Sequence, residues 1–162
     1  MKSKIQAGFT LVELIVVIVI LGILAAVALP KFMGLEREAR IASLKSMGGT
    51  MMSAANMAHG ICMARNCANG GAGIPINGVN VVFANGYPNN ASIDLLLQSF
   101  EGFTPNAAGN RMTKMGATTA NCWVQYNQPA AAGAAPTISY QAGTITTAAT
   151  ETTVNNALRT QC

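Results

Sequence analysis

Polar and apolar positions are distributed very unevenly along the 162 residues of this chain. Residues 9–29 form an apolar run that contains a single charged side chain, that of Glu13. As a helix with a rise of about 1.5 Å per residue, this run would be roughly 30 Å long, which matches the hydrocarbon core of a bilayer. The pattern therefore predicts an apolar helix that can span a membrane.

The pattern changes after this run, because apolar residues then recur at helical spacing among charged ones. The recurring positions are Leu35, Ala39, Ala42, Leu44, Met47, Met51, Met52, Ala55 and Ala58. We expect the helix to continue over residues 31–62 as an amphipathic segment. Pro30 lacks a backbone donor and should kink or loosen the helix, and a curved helix without a break is the alternative.

Short strand-like runs separated by Gly, Pro and Asn make up the rest of the chain. We predict strands at 79–83, 122–126, 137–140 and 144–147, turns at 85–86 and 87–88, and a helix or an irregular segment at 151–159. Residues 92–100 should form a short helix with Ser92 as its cap. A long helix followed by short antiparallel strands predicts an α+β fold, with a globular β-rich head over residues 63–162.

Charge and composition exclude several functions. The formal net charge is +4, and Lys2 and Lys4 before the apolar run supply two of those charges. No basic stripe is interleaved with aromatic residues, so we expect no direct nucleic-acid site. The chain has one histidine and lacks nucleophile, phosphate-binding and paired-carboxylate motifs, so we expect neither enzymatic activity nor a cofactor nor a metal.

The order of segments at the N-terminus is unusual for an exported chain. A conventional secretory signal has its cleavage site after the apolar run, whereas the small residue Gly8 precedes the run here. Cutting between Gly8 and Phe9 would remove a basic leader, residues 1–8, and keep the helix. Lys2 and Lys4 fit a cytoplasmic leader, which would leave the head in the periplasm or outside the cell.

The segment Gly8-Phe9-Thr10-Leu11-Val12-Glu13-Leu14 resembles the prepilin motif of type IV pilins and of type II secretion pseudopilins. The match continues to Ala28-Leu29-Pro30-Lys31-Phe32. The resemblance implies the pilin fold, cleavage between Gly8 and Phe9 by a prepilin peptidase, and N-methylation of Phe9. It also implies that the helix near Pro30 melts when subunits enter a filament.

Glu13 is a functional candidate because a carboxylate in the bilayer interior costs at least a few kcal/mol. Its nearest candidate partner is the amine that cleavage would create at Phe9. In the pilin family this amine is thought to meet the glutamate of another subunit, and such a pairing would set the axial register between helices. The alternative is a carboxylate favoured by the helix dipole, and the two interpretations can coexist.

The chain contains four cysteines, and an even number in an exported chain suggests two disulfides with three possible pairings. We favour Cys62 with Cys67, which are close in sequence, and Cys122 with Cys162, which would tie the last residue to the body. Free thiols are one alternative. A zinc site that includes His59 is another, but it lacks a fourth ligand at a familiar spacing.

Residues 78–88, which end in Gly-Tyr-Pro, are similar to a segment of mannose-sensitive haemagglutinin type pilins. We therefore expect a type IV pilus subunit that is held in the inner membrane through residues 9–30. A pilus assembly platform would then polymerise it with identical subunits into an extracellular filament, or fimbrium, for adhesion, motility or DNA uptake. A type II secretion pseudopilin and a minor tip pilin are the alternatives. Major pseudopilins tend to carry an acidic calcium site near the C-terminus, whereas only Glu151 lies beyond Glu101 here.

Overall fold

The computed structural model describes residues 9–67, 71–117, 121–141, 143–144 and 148–162. A long helix opens the chain, short strands follow, and a second helix closes it. The elements are α1 (Leu11–Arg65), β1 (Ile74–Ile76), β2 (Val79–Val81), β3 (Phe83–Ala84), β4 (Tyr87–Pro88), a 3-10 helix (Asp94–Leu96), β5 (Phe103–Pro105), β6 (Arg111–Lys114), β7 (Trp123–Asn127), β8 (Thr137–Tyr140), β9 (Gly143–Thr144) and α2 (Ala148–Gln161). The predicted α+β layout is confirmed.

The helix α1 is continuous for 55 residues and includes Pro30. The helix therefore continues through Pro30 without interruption, and its melting on entry into a filament stays a prediction. It ends at Arg65, a few residues beyond the predicted end. The chain divides into two compact units between Arg37 and Glu38, so α1 contributes residues to both.

Strands β5 to β9 form an antiparallel sheet in which each strand pairs with the next. Strands β1 and β2 form one hairpin, and β3 and β4 form another. Their turns, Asn77-Gly78 and Asn85-Gly86, have positive φ at both residues, which is the geometry of type I′ hairpin turns. The turn predicted at 85–86 is thus present, but the turn predicted at 87–88 is wrong because these residues pair with β3.

The core of the second unit lies between one face of α1, the sheet and α2. Buried side chains come from α1 (Ile41, Leu44, Met47, Met51, Ala55), the sheet (Met112, Val124, Tyr126, Tyr140) and α2 (Val154, Leu158). The predicted stripe on α1 was partly wrong, since Ala39 and Ala42 are exposed and Ile41 is buried instead. A shift of one residue turns a helix by about 100°, so the start of the stripe lies on a different face from the one predicted. The later predicted positions are buried, namely Leu44, Met47, Met51, Ala55 and Ala58.

The helix predicted at 92–100 is only a 3-10 turn over Asp94–Leu96, and Ser92 does not cap it. Ser92 is buried, and its hydroxyl instead accepts a hydrogen bond from the main-chain N–H of Val82 at 3.1 Å. Serine side chains often bind backbone groups outside helices, and here that bond ties the segment to the end of β2.

Two adjacent glycines in α1 have opposite surroundings. A Cβ at Gly48 would lie 2.7 Å from Tyr140 Oη and 3.0 Å from Ile138 Cγ2, whereas a Cβ at Gly49 would meet nothing within 4 Å. The close approach of the helix to the sheet therefore requires a glycine at position 48 but not at position 49.

We expect Gly48→Ala to lower the free energy of unfolding by about 1 kcal/mol or more, because overpacking outweighs the gain in helix propensity. Gly49→Ala, the matched control, should raise it by about 0.5–1 kcal/mol. Denaturant unfolding of both variants in detergent measures this. Equal effects of the two replacements would show that the close approach at Gly48 has no energetic weight.

Candidate functional site

Helix α1 begins with reciprocal hydrogen bonds between Thr10 and Glu13. The main-chain N–H of Thr10 donates to Glu13 Oε2 at 2.9 Å, and the Thr10 hydroxyl donates to the same oxygen at 2.8 Å. The main-chain N–H of Glu13 donates to Thr10 Oγ1 at 3.3 Å. This arrangement is a capping box, in which the residue before the helix and the third helical residue satisfy each other's free N–H groups.

The capping box gives Glu13 a role within its own helix. From the sequence, the only such role expected was a favourable interaction of its charge with the helix dipole. Its signature is Ser or Thr followed three residues later by Glu or Gln, and residues 10–13 carry it. Thr10 could therefore have been predicted as a site residue from the sequence, but it was missed.

Only one oxygen of the Glu13 carboxylate takes part in these bonds. Both donors contact Oε2, and among the described residues none donates to Oε1. The carboxylate can therefore cap its own helix and still accept a donor from elsewhere.

The surface next to this cap is apolar and uncovered. Between Leu11 and Leu29 the exposure of the large apolar side chains ranges from 46% at Ile15 to 72% at Leu11. An 18-residue window of α1 has a mean hydropathy of 3.1. By length and composition, α1 is the one helix within the described ranges that could cross a membrane.

The remaining predicted residues of this segment lie on either side of the cap. Phe9 precedes the helix and is 89% exposed. Gly8 and the rest of the predicted leader lie outside the described residues, so cleavage between Gly8 and Phe9 stays a prediction. Pro30 lies on the same helix, about 25 Å from Glu13 along the axis at 1.5 Å per residue. The structure thus brings Glu13 to Thr10 and leaves Pro30 apart from them.

Residues 3–29 match the family described as the prokaryotic N-terminal methylation motif. The fimbrial protein EcpC of Eikenella corrodens is 34% identical to this chain over 104 residues, which are 61% of the chain and 67% of EcpC. The chain belongs to the type IV pilin family. The family that the N-terminal motif indicated is confirmed, and the likeness to mannose-sensitive haemagglutinin type pilins stays a prediction.

Other relatives match this pilin over a shorter stretch. The type IV major fimbrial protein FimA of Dichelobacter nodosus is 43% identical over 54 residues, which are 33% of the pilin and 34% of FimA. The type II secretion system core protein G of Pseudomonas aeruginosa is 47% identical over 45 residues, which are 28% of the pilin and 32% of that protein. The pilin therefore spans about a third of the length of both relatives. No solved structure matches it.

Two disulfides join the cysteines of this pilin in the pairing that we favoured. Cys62 is bonded to Cys67 and Cys122 to Cys162, with Cα–Cα distances of 4.9 Å in both pairs. Cys122 precedes β7 and Cys162 follows α2, so the longer link fastens the final helix to the central strand of the sheet.

Charged side chains also fasten α2 to α1 within the second unit. Lys45 Nζ lies 2.7 Å from Glu151 Oε1, and Arg159 Nε lies 2.7 Å from Glu38 Oε1. The hydrogen bond and the positive charge of Lys45 lower the pKa of Glu151. In addition, Arg40 donates a hydrogen bond from Nη1 to the main-chain oxygen of Cys162 at 3.1 Å. These links lie at both ends of α2 and complement the disulfide.

The single histidine of this pilin has a packing role in the head. The ring of His59 stacks on Tyr87 with centroids 4.0 Å apart, and His59 Nδ1 lies 2.7 Å from the main-chain oxygen of Gly86. The described residues contain no group of three or more His, Cys, Asp or Glu that could hold a metal ion. Cys62 and Cys67, which the zinc alternative with His59 would need as thiolates, are bonded to each other.

Proposed function

We propose that this pilin is a structural subunit of a type IV pilus, held in the inner membrane and then polymerised with identical subunits into a surface filament. The observation that carries the proposal is an uncovered apolar helix whose first turn holds a carboxylate with one oxygen to which no described residue donates. A membrane can cover the apolar surface before assembly, and neighbouring helices can cover it afterwards.

The unused oxygen of Glu13 suggests how a neighbour is recognised. After cleavage between Gly8 and Phe9, the N-methylated amine of Phe9 would be a cation at the start of the same apolar segment. Oε1 of Glu13 could accept a hydrogen bond from this amine of another subunit without disturbing the bonds between Glu13 and Thr10. A buried charged pair is costly when one partner is absent, so it penalises every axial register that leaves the amine and the carboxylate apart.

The remaining roles follow from this proposal. Residues 1–8 act as the leader for a prepilin peptidase, residues 9–30 anchor and polymerise the subunit, and residues 31–62 join them to the head. Pro30 lacks an N–H donor, so the helix loses a backbone hydrogen bond there and can yield on entry into the filament. The disulfide from Cys122 to Cys162 bounds the C-terminal part of the head. The subunit works with an assembly platform and has a structural rather than a catalytic role.

A second candidate is a type II secretion pseudopilin, because core protein G of Pseudomonas aeruginosa shares 47% identity over 45 residues. That likeness covers 28% of this chain, whereas the likeness to EcpC covers 61% and extends into the head. The wider match favours the pilus.

Electron microscopy of cells with and without this chain tests the proposal. We expect long surface fibres to disappear on deletion and to return when the gene is restored. Intact fibres together with failed export of a folded enzyme would reject the pilus and favour the pseudopilin.

A further inference from the structure

The outward face of the head sheet carries the only tryptophan of the chain beside an arginine that has no carboxylate partner within the described residues. Along β7, Val124 and Tyr126 are buried, so the alternation of side chains turns Trp123, Gln125 and Asn127 to the opposite face. Cross-strand pairing adds residues of β6 and β8 to that face. We call this set the Trp123 face: Arg111, Thr113, Trp123, Gln125, Asn127 and Ser139.

Arg111 is the only charged residue of the Trp123 face. Its Cζ lies 5.4 Å from the centroid of the Trp123 ring. Its Nε is buried and has no hydrogen-bond partner in the described part of the chain, and neither salt bridge found there involves it. A guanidinium that is held over an indole and has no carboxylate partner offers a planar fork for a carboxylate from outside.

The rest of the Trp123 face consists of ordered amides and hydroxyls. Gln125 Nε2 donates to Asn127 Oδ1 at 3.0 Å, and Asn127 Nδ2 donates to Ser139 Oγ at 2.8 Å. These bonds fix the amide planes and leave further donors and acceptors for a ligand rich in hydroxyl groups. The indole adds an apolar surface against which a ring can pack.

The number of cationic side chains on the Trp123 face distinguishes between a nucleic acid and an acidic sugar as its ligand. A nucleic acid presents a phosphate at every nucleotide, and proteins that bind it use a groove with several cations. The Trp123 face has one cation, because Lys114 of the same strand lies on the other side of the sheet, 4.6 Å from the Phe103 centroid. A single uronic acid ring carries one carboxylate and several hydroxyls, which matches one guanidinium among amides and hydroxyls. We propose that the Trp123 face binds an acidic polysaccharide, with Arg111 on the sugar carboxylate and Trp123 against the sugar ring.

The test uses Trp123 as its own reporter, since no other tryptophan contributes to the fluorescence. Full-length chain in detergent is titrated with polygalacturonate, with neutral dextran as the ligand control. We expect a saturable change in tryptophan emission with polygalacturonate alone. Arg111→Gln should weaken the apparent affinity at least about tenfold, because it removes a charge-assisted bidentate contact. Lys114→Gln, which removes the same charge from the opposite face of β6, should change it less than about twofold.

Several results would overturn the inference. These are a wild-type chain that does not respond to polygalacturonate, equal binding of dextran, equal losses in the two variants, or tighter binding of a single-stranded oligonucleotide. Unchanged thermal unfolding of Arg111→Gln shows that the variant is folded. If it does not fold, Arg111→Lys keeps the charge without the planar fork and should still lose several-fold affinity. The measurement uses unpolymerised chain, so its outcome does not depend on the pilus proposal.

Discussion

Glu13→Gln is expected to stop fibre assembly while leaving membrane insertion intact. Glutamine can replace glutamate in a capping box, so the bonds to Thr10 survive while the charge is lost. Loss of one partner from a buried pair costs about 3 kcal/mol or more, which corresponds to a fall in fibre yield well beyond tenfold. The measurement is the amount of sheared surface fibre per cell, with the membrane-bound subunit quantified in parallel.

Two further variants separate the charge from the cap. Thr10→Ala removes the capping hydroxyl and keeps the carboxylate, which should cost about 1 kcal/mol and reduce the yield only moderately. Glu13→Ala removes the carboxylate, and with it both the charge and the two bonds that Oε2 accepts from Thr10, so it should be the most defective variant. Normal yield from Glu13→Gln together with failure of Glu13→Ala would contradict the intersubunit pair and leave capping as the whole role. The N-terminal sequence of each membrane-bound subunit shows whether the leader has been removed.

Replacing both Cys122 and Cys162 with serine is expected to lower the free energy of unfolding of the head by about 4 kcal/mol. The two cysteines are 40 residues apart, and the chain-entropy model gives about this value for a loop of that length. Loss of the link leaves α2 held by noncovalent contacts, among them the Lys45–Glu151 and Glu38–Arg159 ion pairs and its buried side chains. Urea unfolding followed by Trp123 fluorescence reports the change next to the removed bond.

The link from Cys62 to Cys67 supplies the matched control. It closes a loop of only 5 residues in sequence separation, so its removal should cost about 2 kcal/mol in the same model. Double serine variants are compared because a single replacement would leave a reactive thiol. An equal or larger loss from the shorter link would contradict the view that the longer one holds the C-terminal helix in place.

The features that the sequence predicted well are those set by local pattern. The apolar run and the long helix were recognised from their apolar residues and helical spacing. Strands β7 and β8 were recognised from their aromatic and β-branched residues. Strands β5 and β6 were missed because their segments, Phe-Thr-Pro and Arg-Met-Thr-Lys, lack strand character. Strand β6 pairs with β7 and β5 pairs with β6, and neither partner can be recognised from the residues of the strand itself.

Two functional features needed contacts that the sequence alone did not reveal. The capping box has a readable signature, but only the structure shows that Oε2 of Glu13 takes both donors and leaves Oε1 unused. The Trp123 face depends on the register that places Thr113 opposite Trp123 and Arg111 opposite Gln125. A slip of one residue in that register would turn Arg111 to the other side of the sheet.

The subunit mass in purified surface fibres tests the central claim most directly. Fibres are sheared from cells that express this chain, and the intact mass and N-terminal sequence of their main subunit are determined. We predict residues 9–162 with a methylated Phe9 and both disulfides intact. A main subunit that retains residues 1–8, or fibres that lack this chain altogether, would contradict the account.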